Sequence, residues 1–155
     1  MKLTHQDSHG FEYKLSPEEA HFLRLLVRQF PIKAFSPVTI SRTDSSAVER
    51  EKLINESLAA HRDELKRKAG GLVREEKFKT AGAHQLFHIN LEEREILLQI
   101  LNDIRVESWR ILGEPEDLDL KIFDLPREKI RYGQFMHIAG YFEHHLLNLD
   151  EPDAK

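Results

Sequence analysis

Apolar residues between Asn90 and Gly113 recur at helical spacing, and the rest of the chain is organised around them. Ile96, Leu97, Ile100, Leu101, Ile104, Ile111 and Leu112 share one face of a helix, which Leu98 and Trp109 widen. Asn90 stands where an N-cap accepts from an orphan amide, and Glu93 completes a capping box. Gly113 and then Pro115 end the helix. A face this broad predicts a central helix with neighbours on several sides.

The same grammar recurs upstream. Phe11, Tyr13 and Leu15 alternate with polar residues as in a half-buried strand. Ser16-Pro17-Glu18-Glu19 then opens a helix that carries His21, Phe22, Leu25, Leu26 and Phe30 before Pro31 stops it. Phe87 and Ile89 precede the central helix in the same way. Aligning residues 11–27 with 85–101 gives a weak strand-then-helix repeat, which shared capping chemistry alone would also produce.

After a connector with an extended Val38-Thr39-Ile40, a long polar helix is expected from Asp44 or Ser45 to Ala69, stopped by Gly70-Gly71. Its stripe is thin, made of Ala47, Ile54, Leu58 and Leu65 with His61 in the seam. A last helix is expected from around Asp124–Pro126 to about Asn148, burying Ile130, Phe135, Ile138, Tyr141, Phe142 and Leu146. The expected fold is mainly α: a compact bundle of about four principal helices with a small two-stranded β element as accessory. At 155 residues one domain is expected, with 1–10 and 150–155 as flexible tails.

Composition narrows the chemistry. Cysteine is absent, which excludes disulfides, thiol catalysis and cysteine-ligated metal. The amino-terminal MKLTHQDSHG has no apolar stretch of the kind a secretory signal needs, and no run is long enough to span a bilayer. A cytoplasmic protein without membrane contact is therefore expected. The net charge of −4 argues against a nucleic-acid binder relying on its overall field. The basic stretch from Arg62 to Lys79 reads better as a solvated face than as a nucleic-acid contact.

Arg105 falls inside the apolar arc of the central helix, where a guanidinium needs a partner. Either it ties two helices together or it serves as a receptor for an anion at a pocket rim, with Trp109 placed to stack on it and Asn102 on the same edge. Asp103, Glu107 and Arg110 form a solvated ion-pair cluster at helical spacing. On the last helix Gly133 and Gly140 open a line for close backbone approach, flanked by His137, Tyr141 and His144. That face is read as a packing interface, either within the chain or between two copies.

Metal sites have little support. His137 and His144 are the weak candidates, but two turns separate them along the helix. Asp117, Asp119 and Asp124 lack the glycine and terminal glutamate of a calcium loop. No cofactor is expected. Neither a nucleophile elbow nor a phosphate-binding glycine loop is present.

Leu101-Asn102-Asp103-Ile104-Arg105 on a leucine-rich helix, the Gly113-Glu114 tail, the acidic loop and a final helix around Tyr132-Gly133 resemble an uncharacterised bacterial family defined only as a domain of unknown function. The resemblance centres on residues 97–113 and implies a small intracellular helical protein, without a family ligand or catalytic residue. The residues point to a non-enzymatic protein–protein interaction or regulatory module, working as a homodimer and with a further protein partner. The alternative is a metal- or small-anion-binding enzyme using the histidines and Arg105. A nucleic-acid-associated regulator acting through the basic end of the second helix comes third.

Overall fold

Two β-hairpins, each feeding a capped helix, set the architecture. The computed structural model describes residues 1–33, 37–39, 45–116 and 124–147. Residue 40 of the connector, Asp117 and Asp119 of the acidic loop, and the tail 150–155 lie outside the described residues. In the first unit β1 (Lys2–Asp7) and β2 (Gly10–Leu15) lead into α1 (Pro17–Arg28). In the second, β3 (Phe78–Ala81) and β4 (His84–Ile89) lead into α3 (Leu91–Ile111). The expected likeness of 11–27 to 85–101 thus falls on a hairpin–helix unit that occurs twice.

Both helix starts carry the capping box read from sequence. Ser16 Oγ accepts from the Glu19 amide at 3.1 Å, and Glu19 accepts in return from the Ser16 amide at 2.7 Å. Asn90 and Glu93 repeat the exchange at 2.8 and 2.9 Å. Each pair satisfies two orphan donors and holds a carboxylate at the positive end of the helix.

The expected two-stranded element is corrected. The sheet is four-stranded and antiparallel, in the order β1-β2-β4-β3, although among the described residues helix still predominates at 63% against 17% strand. Residues 11–15 and 85–89 do pair, as the central strands, with Tyr13 opposite Phe87. Each then carries one more strand outside it. Residues 2–7, expected within a flexible tail, form the edge strand β1. Asp7 Oδ1 accepts from the His9 and Gly10 amides and closes the turn that returns the chain along β2. Phe11, Tyr13, Leu15, Phe87 and Ile89 point from the sheet into one core with Leu23 and Leu26 of α1 and Leu97 and Leu101 of α3.

Two helices differ from expectation. The long helix α2 (Ser45–Leu72) runs through Gly70 and Gly71 instead of stopping there. Leu72 and Val73, just beyond the glycines, are buried, and that burial outweighs the roughly 1 kcal/mol that a helical glycine costs against alanine. The last helix, α4 (Ile130–Leu147), begins later than the expected 124–126. Its buried line is Gly133, Met136, Ala139, Phe142, Glu143 and Leu146, whereas Tyr141 is 41% exposed. Small residues on this line let α4 lie close along α3, the most extensive helix–helix contact of the fold.

Candidate functional site

The second half of α3 and the middle of α4 leave an open groove of about 630 Å³ between them. Arg105, Val106 and Trp109 come from α3, Met136, His137 and Gly140 from α4, and the chain leaving α3 adds Pro115 and Glu116. Binding candidates on one helix and interface candidates on the other therefore meet in one place. Asn102 joins through Arg105. Gly133 instead is buried within the α4 line, so one of the two glycines is used inside the chain. Tyr141 points elsewhere: its hydroxyl donates to Glu19, whose carboxylate also holds the amino group of Met1. Burial and the neighbouring Glu19 carboxylate push the Tyr141 phenol up to about 12. His144 lies at the surface beside His145.

Arg105 is paired, as its position demanded, but it is not buried. Its Nε meets Glu143 Oε2 at 2.8 Å and its Nη2 donates to Asn102 Oδ1 at 3.1 Å, while the side chain is 44% exposed. The expected stacking of Trp109 on Arg105 is replaced by a hydrogen bond from the indole Nε1 to the Pro115 carbonyl at 3.1 Å. That bond pins the indole against the chain that leaves α3. The expected surface cluster divides in two. Arg110 pairs with Glu107 at 2.8 Å, and Asp103 turns to Arg62 of α2 at 3.2 Å in a partly buried contact.

Glu143 is the buried member of the groove's ion pair. Burial raises its carboxyl above the ordinary glutamate range, and the Arg105 charge opposes that rise without cancelling it. A carboxylate whose folded value is raised costs stability once it must ionise, so its contribution falls as pH climbs from the unfolded value through the folded one. Glu143→Gln keeps the shape and removes the proton. Relative to wild type the variant should gain stability as pH rises from about 4 to 7. Urea unfolding at four pH values checks this; a stability difference independent of pH would remove the account.

A smaller cavity of about 390 Å³ lies where the β1–β2 turn meets the start of α3. Its polar side chains lie mostly in pairs, although the buried His88 Nδ1 has no hydrogen-bond partner among the described residues. His88 Nε2 is 2.5 Å from Glu12 Oε2, Lys77 pairs with Glu93, and His5 lies 3.3 Å from Asp7. Among the described residues no group of three or more His, Cys, Asp or Glu side chains is placed to hold a metal ion. Nor among them is any helix long and apolar enough to cross a membrane.

A second surface concerns α2. Of its expected stripe only Ala47 and Leu65 are buried, along with Ala69 and Leu72. Ile54 and Leu58, one turn apart on one face, are 44% and 42% exposed, and Leu53 and Val48, on other faces of the helix, are also exposed. Asn55 grips the connector on both sides of Val38, accepting from its amide at 2.7 Å and donating to its carbonyl at 2.9 Å.

Sequence reasoning missed Arg94, the buried arginine. It shares the apolar seam of Leu97 and Leu101, and that spacing was the available signal. No protein-family model, curated protein or solved structure matches this chain.

Proposed function

We propose that this protein is a non-enzymatic, cytoplasmic interaction module that self-associates and docks a further protein. The observation that carries the reading is the exposed apolar stretch of α2. Its C-terminal half buries Leu65, Ala69 and Leu72, while the half before it presents Ile54 and Leu58, one turn apart on one face, to solvent. A helix gains little from propensity alone, so an apolar face of this kind is stabilised chiefly by a partner. Ile54 and Leu58 are spaced to seat in a matching helix, and a second copy of α2 offers the same residues.

Sedimentation of wild type and of the Ile54→Glu/Leu58→Glu variant at micromolar concentration tests this. The wild type should sediment as a dimer whose melting temperature rises with protein concentration, and the variant as a folded monomer whose melting temperature does not. A wild type that is monomeric throughout overturns self-association.

A further inference from the structure

The groove between α3 and α4 shares no residue with the α2 surface, and its walls have a chemistry of their own. Val106, Met136, Pro115 and the Trp109 ring are apolar, and the indole N–H is already committed to Pro115. Gly140 opens the α4 side: among the described residues a Cβ built there would meet only the Arg105 Cδ, at 3.9 Å. A groove of about 630 Å³ is the size of small-molecule sites.

Arg105 supplies the polar end. A guanidinium carries five N–H donors; here Nη2 donates to Asn102 and Nε lies in an ion pair with Glu143, which leaves donors for a ligand. Its charge is another matter. Glu143 already neutralises it, and Glu116 adds a carboxylate at the rim. A carboxylate ligand would have to approach the guanidinium beside an existing carboxylate, and an ammonium would meet the guanidinium itself. A neutral acceptor avoids both costs.

We infer that the groove is a binding site for a small uncharged amphiphile, with an apolar body against Trp109, Val106 and Met136 and a carbonyl head accepting from Arg105. This inference stands apart from the self-association reading, because the groove can bind whether or not α2 pairs.

Trp109 is the only tryptophan of the chain, so its emission reports on the groove directly. Hexanamide, hexanoate and hexylammonium share one apolar body and differ in head charge. They are titrated into the full-length protein at about pH 8, where the carboxylate and ammonium probes are both fully ionised. Hexanamide should shift the emission with a dissociation constant at least about tenfold below those of the two charged probes. In Gly140→Leu the new side chain fills the groove and the response should vanish, while the melting temperature is held or raised. Tighter binding of hexanoate would make this an anion site and overturn the inference. So would silence from all three probes at their solubility limits, or a hexanamide response that survives in a folded Gly140→Leu protein.

Discussion

Replacing Gly10 by alanine should cost about 3 kcal/mol and loosen the central strand pair. Gly10 opens β2 with φ +149, a conformation that L side chains rarely adopt. An added Cβ would strike the carbonyl oxygen of Ile89 and lie 3.0 Å from the Cα of Asn90. Both obstacles are backbone and cannot swing aside. Ile89 is the register partner of Phe11, and Asn90 caps α3, so the strain falls on the joint between sheet and central helix. Gly82 is the control. It also has positive φ, +62 in the β3–β4 turn, but nothing lies within 4 Å of its would-be Cβ. Gly82→Ala should therefore carry only the conformational penalty, about 1 kcal/mol. Urea unfolding of both variants, with amide exchange at Phe11 and Tyr13, separates the two terms. Equal losses at Gly10 and Gly82 would sink the steric account.

That pair of glycines also shows what pattern could and could not reveal. Central strands bury one face, so Phe11, Tyr13 and Leu15 alternate visibly and so do Phe87 and Ile89. Edge strands leave no such trace. β1 keeps only Leu3 from full exposure, and β3 buries only Phe78. Their signature lay in turn chemistry: Asp7 three residues before Gly10, and Gly82 first in a two-residue connection. Gly70-Gly71 misled in the opposite direction, because a local stop signal was outweighed by burial of Leu72 and Val73 beyond it. Local propensity could not report that tertiary contact.

The groove was legible in parts and not as a whole. Periodicity marked Arg105 and Trp109 on one helix and His137 and Gly140 on another, but it cannot say which faces meet. The arc on α3 that is buried runs from Ile96 through Leu97, Leu101 and Ser108, and Arg105 sits just past its edge, where the groove begins. A charge inside the apolar arc must be tied down. On α3 that charge is Arg94, on the same seam, bonded to the Leu146 carbonyl.

Arg94→Met should destabilise the protein by about 3 kcal/mol, well beyond what truncating the half-exposed Arg105 would do. Arg94 is only 9% exposed. Its Nε donates to the Leu146 carbonyl at 3.0 Å, its Nη2 reaches the same oxygen, and its guanidinium lies 4.7 Å from the centroid of the Phe11 ring. One side chain thus joins β2, α3 and the last turn of α4. The arrangement suits the charge, because the carbonyls that end a helix carry its negative pole and lack intrahelical donors. Methionine keeps much of the length and apolar volume, so the loss isolates the hydrogen bonds, the charge–dipole term and the ring contact. It also strands a buried carbonyl, which alone costs about 1–3 kcal/mol. Arg94→Lys should recover only part, since an ammonium on a flexible stem cannot bond the carbonyl with two nitrogens while lying flat over the ring. In both variants amides of residues 142–147 should exchange earlier than those of α3, because the end of α4 loses its anchor. A stability for Arg94→Met within about 0.5 kcal/mol of wild type would show that α4 is held by its packing on α3 alone.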